Sequence, residues 1–226
     1  NRSWRRAWRD VLETAMICWH GAGMSTPIAA IILAAGKGTR MKSDLHKVLH
    51  PIAGRPMLLH LMAAVDALAP AKKVVVVGDK ADQIEAALAG SAELAVQEPQ
   101  LGTGHAVQQA ESALAGFDGD VLILYGDVPF VPTATMQAMI DRLGAADAPA
   151  VVVLAFEPAD PLQYGRVITD GDRVVKMVEH KDATDAERAV RLCNSGLMAA
   201  KARDLFALLA RVTDDNAAKE FYLVDI

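Results

Sequence analysis

Apolar residues in this chain come in short unbroken runs, not in alternation with polar ones. Pro27–Leu33, the valines of "KKVVVVG" at 72–78 and "DVLILYGDVPF" at 120–130 read as strands covered on both faces. Between them lie stretches with helical spacing. These are "PMLLHLMAAVDALA" from Pro56, "KADQIEAALAG" ended by Gly90, and "GTGHAVQQAESALAG", entered through glycines. "AELAVQ" adds a short strand. After Pro132 the regularity changes: "APAVVVLAF" reads as a strand and "GRVITDGDRVVKMVEH" as a hairpin about Asp170-Gly171. "NSGLMAA" follows as a strand, and a helix begins at Lys201. The alternation predicts an α/β fold, a mainly parallel mixed sheet with helices on both faces.

Composition narrows the picture. With 226 residues, 52% of them hydrophobic, the chain can bury the core of one domain. A net charge of −5 argues against a general nucleic-acid binder. Cys18 and Cys193 form neither a disulfide framework nor a metal spacing, which points to a reducing cytoplasm. No apolar run reaches the ~18–20 residues of a membrane span, and Glu13 interrupts any secretory core near the start. Residues 1–23 differ from the rest, holding all three tryptophans (Trp4, Trp8, Trp19) and four arginines. Their spacing fits an amphipathic helix for a membrane surface or a partner. The favoured reading is an upstream extension before a start at Met24, leaving residues 24–226 as the folded domain.

Open α/β sheets bind ligands at the carboxyl ends of their strands, and Gly36–Lys47, Gln97–Gly104 and Tyr125–Asp127 all fall there. The loop "ILAAGKGTRMKSDLHKVLH" is neither a P-loop nor a dinucleotide fingerprint. Its glycines nonetheless let backbone N–H groups approach phosphate oxygens, while Arg40 and Lys47 add charge. Alone, it could equally be a solvated basic loop. Asp127, after a buried strand and Gly126, suits a Mg²⁺ ligand or a turn cap. The six histidines show no metal spacing, and His46 and His50 read as polar loop groups.

The loop does not stand alone. "LAAGKGTRM" followed by "KVLHPIAGRPML", then "QEPQLGTGHAV", "YGDVP", "YGRV", "VEHKDAT" and "NSGL", resembles the sugar-nucleotide pyrophosphorylases from Pro27 to Ile226. Among these it is most similar to the N-acetylglucosamine-1-phosphate uridylyltransferases. The resemblance implies a Rossmann-like nucleotidyltransferase fold and a Mg²⁺-dependent reaction. UTP and N-acetylglucosamine 1-phosphate give UDP-N-acetylglucosamine and pyrophosphate, a step in bacterial cell-wall biogenesis. It also implies roles. Arg40 and Lys47 are catalytic. Leu33, Ala34, Ala35, Gly36, Lys47, Gln97, Gly102 and Thr103 hold the nucleotide, with the Gln97 carboxamide meeting the pairing edge of uracil. Tyr125, Gly165, Glu179 and Asn194 hold the sugar, and Asp127 holds the metal.

Two departures accompany the resemblance. Proteins of this type continue into a left-handed β-helix of hexapeptide repeats that carries an acetyltransferase and can form a homotrimer. No such repeat occurs here, so the chain is expected to be a fragment without that second activity. A second Mg²⁺ ligand, an asparagine, is expected beyond "EFYLVDI". Two other readings stay open: a pyrophosphorylase using a different base or sugar phosphate, and a nucleotide-sugar binding module without catalysis.

Overall fold

The valine- and isoleucine-rich runs become the centre of an eight-stranded sheet. The structure is a computed structural model and describes residues 26–36, 38 and 41–226. The leader at 1–23 and Arg40 lie outside the described residues. The strands are β1 (Ile28–Ala34), β2 (Pro51–Ile52), β3 (Arg55–Pro56), β4 (Lys72–Val77), β5 (Glu93–Val96), β6 (Asp120–Tyr125), β7 (Val151–Phe156), β8 (Arg166–Asp170), β9 (Arg173–Val178) and β10 (Cys193–Lys201). The described helices are α1 (Met57–Asp66), α2 (Ala81–Leu88), α3 (Thr103–Gln108), α4 (Thr133–Leu143), α5 (Asp185–Arg188) and α6 (Ala202–Leu209).

The sheet runs β5-β4-β1-β6-β10-β8-β9, with β7 also on β10, while β2 and β3 form a separate small hairpin. β5, β4, β1 and β6 are parallel neighbours, with Ile31 opposite both Val74 and Ile123. Lack of polar alternation has a direct result: Val74 to Val77, Ile31, Ile32 and Leu122 to Leu124 are all fully buried. Successive residues face opposite ways, so each strand feeds two cores. Ile32, Val75 and Leu122 pack against Leu58, Leu61 and Met136 on one face. Ile31, Val74 and Ile123 pack against Val107 and Leu205 on the other.

The other half of the sheet is antiparallel and is organised by β10, which pairs with β6, β7 and β8. Asp120 at the start of β6 is buried but meets Lys201 Nζ at 2.7 Å, which neutralises it. The β8–β9 hairpin turns at Asp170-Gly171, as its sequence predicts. One helix is shorter than its spacing implies: α3 stops at Gln108, and residues 109–116 continue as turns. There the backbone tightens to i→i+3 bonds such as Ala110 N to Val107 O at 3.0 Å. Ala110, Ala113 and Leu114 still reach the core, which is why the apolar spacing looked helical throughout. No helix among the described residues is long and apolar enough to cross a membrane.

Candidate functional site

The carboxyl ends of β1, β5 and β6 open into a cavity of about 430 Å³. Leu33, Ala34, Ala35, Gly36, Lys47, Gln97, Gly102, Thr103, Tyr125 and Asp127 line it, residues expected from three separate segments. Lys47 reaches it from a 3₁₀ turn, Lys47–Leu49, anchored by the buried Val48 and Leu49. Its ammonium pairs with the Asp127 carboxylate, and the two side chains are 38% and 30% exposed. Gly38 is needed close by. Its φ of +57° is left-handed, and a Cβ there would sit 2.8 Å from Lys47 Cβ.

His46, expected as a polar loop group, is the buried N-cap of that turn. Nδ1 accepts from Val48 N–H at 3.4 Å, and its own backbone N–H donates to Gln83 Oε1 at 2.8 Å. Burial pushes its pKa down; Asp79 opposes this, while Lys80 and Lys47 add to it. The imidazole is therefore neutral and able to accept.

Gln97 closes β5 with its side chain buried. Its Nε2 donates to Gly102 O at 2.9 Å and lies 3.1 Å from His105 Nδ1. Gly102 O thus takes one amide hydrogen, and Oε1 can meet a donor such as an imide N–H. Gly102 has a φ of +113°, and a Cβ there would lie 2.6 Å from Phe221 O. The absence of a side chain lets the segment after Glu220 dock. Phe221 N–H donates to Leu101 O and Gly104 N–H to Phe221 O, both at 2.8 Å. Leu223 N–H reaches Thr103 Oγ1 at 2.9 Å.

Gln100 and Glu220 also line this cavity and were not singled out from sequence. Gln100 Nε2 donates to Ala35 O at 2.6 Å, tying the β5 loop to the end of β1. The one sequence sign of it was its place inside the quoted "QEPQLGTGHAV".

A second cavity of about 250 Å³ adjoins the first through Thr103, Tyr125 and Glu220. All four expected sugar-site residues line it: Tyr125, Gly165, Glu179 and Asn194. Asn194 owes its position to a break in register on β10 between Asn194 and Met198, the local twist a bulge supplies. Its Oδ1 accepts from Gly196 N–H at 2.9 Å, which leaves the Nδ2 hydrogens for a ligand. A Cβ at Gly165 would approach the Glu179 carboxylate to 3.4 Å, so this glycine makes room for that side chain. Burial, then Asp182, Asp225 and Glu220, raise the Glu179 pKa against the pull of Lys181. Tyr125 is pushed up to about 12 by burial and the charges of Glu179 and Asp127, against a hydrogen bond with Thr103. Its phenol stays protonated and can donate.

Among the described residues no group of three or more His, Cys, Asp or Glu could cage a metal ion. Asp127 offers a partly exposed carboxylate on the wall of the first cavity, beside Lys47. That donor set fits Mg²⁺, which takes one or two carboxylates and fills its other positions with phosphate oxygens and water.

Comparison with known proteins agrees with this architecture. The GlmU protein ("Bifunctional protein GlmU") of Sphingopyxis alaskensis is 92% identical over 203 residues, covering 90% of this chain and 45% of that protein. GlmU of Novosphingobium aromaticivorans is 70% identical over 203 residues, with coverage of 90% and 45%. The chain thus spans less than half the length of these curated relatives. Among solved structures, UDP-glucose pyrophosphorylase complexed with UDP-glucose superposes with a TM-score of 0.69 at 19% identity, over 88% of this chain and 84% of that one. A putative glucose-1-phosphate thymidylyltransferase from Bacillus anthracis gives 0.68 at 17% identity, over 85% and 78%. At such identities the likeness is one of fold. The profile of MobA-like NTP transferase domains matches residues 30–222, from β1 to the segment that closes the first cavity, and the chain belongs to that family.

Proposed function

We propose that this chain is the uridylyltransferase part of a GlmU-type protein, joining UTP to N-acetylglucosamine 1-phosphate. One observation carries the reading: two cavities meet at Tyr125 and Thr103, beside the Lys47–Asp127 pair. A nucleotide in the first and a sugar phosphate in the second would bring their phosphates together there. An oxygen of the sugar phosphate attacks the α-phosphorus of UTP, and the bond from that phosphorus to the bridging β-oxygen breaks. Pyrophosphate leaves with the electron pair. The nucleophile is largely ionised at neutral pH, its second pKa being about 6, so no general base is needed.

The protein's work is alignment and charge neutralisation. The backbone from Leu33 to Gly36 faces the triphosphate, with Lys47 and, from the loop, Arg40 supplying positive charge. Gln97 Oε1 accepts from the base, with Gly102 and Thr103 beside it. Tyr125, Glu179, Asn194 and the gap at Gly165 hold the sugar. Asp127 would hold Mg²⁺, which when bound neutralises and orients phosphate oxygens. Lys47 then leaves Asp127 for the leaving pyrophosphate. A cytoplasmic role in supplying UDP-N-acetylglucosamine for cell-wall precursors goes with this reading.

The test is pyrophosphate release with UTP and N-acetylglucosamine 1-phosphate, with and without Mg²⁺, set against each other nucleoside triphosphate. Release that requires Mg²⁺ and prefers UTP is expected. A preference for another nucleotide would make the chain a different pyrophosphorylase, and tight product binding without turnover would make it a binding module.

A further inference from the structure

Arg166 opens β8 between Gly165, which lines the second cavity, and the core, and it is only 3% exposed. A buried guanidinium needs acceptors, ordinarily a carboxylate. Among the described residues its partners are instead backbone carbonyls. Nε donates to Arg188 O at 3.3 Å, Nη2 to Leu162 O at 3.2 Å, and Nη1 to Pro161 O at 3.4 Å and to Tyr164 O. Cys193 Sγ lies 3.9 Å from Nη1. Three of the four carbonyls belong to one short loop, residues 161–164.

That loop has little else to hold it. Leu162 and Tyr164 are 64% and 46% exposed, so apolar burial contributes little. Leu162 also has a φ of +42°, a conformation costly for a branched side chain. Its other restraints are Leu162 N–H donating to Asp160 Oδ1 at 3.0 Å, Tyr164 N–H donating to Pro161 O at 3.2 Å, the edge of Tyr164 against Phe156 at 5.0 Å and, at its end, Asn194 N–H donating to Gly165 O at 2.9 Å. Yet Gln163, Tyr164 and Gly165 all line the second cavity. The peptides here are trans, and a trans peptide points its N–H opposite to its C=O. Drawing the Leu162 and Tyr164 carbonyls onto Arg166 therefore turns the N–H groups of Gln163 and Gly165 the other way.

We propose that Arg166 is a positioning residue for the sugar-phosphate half of the site. It fixes the 161–165 wall from behind and aims the Gln163 and Gly165 amides at an acceptor on the sugar phosphate. It touches no substrate. The planar fork spans several carbonyls at once, which an ammonium on a single atom cannot do. The inference rests on the uridylyl-transfer reading for its substrate, and on the hydrogen bonds for its structural part.

The experiment compares wild-type protein with Arg166→Lys and Arg166→Met in steady-state pyrophosphate release. In parallel, limited chymotrypsin digestion follows cleavage after Leu162 and Tyr164. For Arg166→Lys we expect the KM for N-acetylglucosamine 1-phosphate to rise at least about tenfold, the scale of a small misplacement of binding groups. The KM for UTP should stay within about twofold, and cleavage in the loop alone should quicken. Arg166→Met should exaggerate both effects; if it does not fold, Arg166→Lys carries the test. Unchanged sugar-phosphate KM, or equal rises for both substrates, would overturn the proposal. If the wild-type protein releases no pyrophosphate, the uridylyl-transfer reading falls by itself. Arg166 is then judged on digestion: cleavage rates equal to wild type overturn its role, and loop-confined acceleration upholds it.

Discussion

Replacing Lys47 by alanine separates the chemical work of the Lys47–Asp127 pair from its structural work. In the free protein the two side chains are 38% and 30% exposed, so water screens their attraction, and such pairs are worth at most ~1 kcal/mol. Loss of the pair should lower the melting temperature by no more than about 4 °C for a domain of this size. The situation changes when a nucleotide fills the 430 Å³ cavity and displaces water. A unit charge ~4 Å from Lys47 interacts by ~1 kcal/mol in water and by ~4 kcal/mol at an effective dielectric constant of 20. Charge building up on departing pyrophosphate lies between these limits, and a stabilisation of ~2.7 kcal/mol corresponds to about 100-fold in rate. Lys47→Ala should therefore cut kcat/KM at least about 100-fold in a coupled pyrophosphate assay, with thermal melting nearly unmoved. A loss under threefold would remove Lys47 from the chemistry.

Three further outcomes follow from the geometry. Gln97→Ala should reduce the preference for UTP over CTP by ~1–3 kcal/mol, the scale of a buried acceptor left without its donor, and unchanged selectivity would sink that contact. Glu179→Gln removes a carboxyl whose folded pKa is raised by burial and acidic neighbours. A raised pKa gives stability at low pH that is lost as pH rises through it, so the variant should melt higher than wild type at pH 7, with the gap closing by about pH 4. A gap of the same size at both pH values would contradict this, and the KM for sugar phosphate should rise severalfold at neutral pH. Gly102→Ala meets both a positive φ and Phe221 O at 2.6 Å, so it should cost about 2–3 kcal/mol and weaken nucleotide binding. A melting temperature within 1–2 °C of wild type, on the ~2–4 °C per kcal/mol scale, would show that the Phe221 segment shifts freely.

What could be read from sequence was whatever leaves a local mark. β1, β4 and β6 did, because a strand buried on both faces has no polar alternation. The β8–β9 hairpin did, through Asp170-Gly171. The three segments of the first cavity could be placed because glycines and charges cluster at strand ends, while its individual residues were named through the resemblance to the pyrophosphorylases. Arg166 left no mark, since an arginine in "YGRV" looks like any surface base until its carbonyl partners are seen, one of them 22 residues away. The Thr103–Leu223 contact joins positions 120 apart through a backbone donor that no side-chain pattern encodes. The burial of His46 left no mark for a related reason: a polar side chain between exposed Leu45 and half-buried Lys47 gives no sign that it caps the turn or that its backbone N–H meets Gln83 Oε1.

The place of β10 has a consequence for how the chain reaches this state. β10 lies in the middle of the sheet yet comes last of its strands, so β6 gains its second neighbour only after β7, β8 and β9 have been made. During synthesis, β1, β4, β5 and β6 can assemble while one edge of β6, an apolar strand, stays bare. Such an edge is a template for pairing with another chain. Asp120 waits too, because the lysine that neutralises it stands 81 positions later. An uncompensated aspartate at the end of the bare edge discourages a stranger's apolar strand from docking in register. Insertion of β10 brings Lys201 and cancels that charge, so the same residue can guard the intermediate and lock the finished sheet.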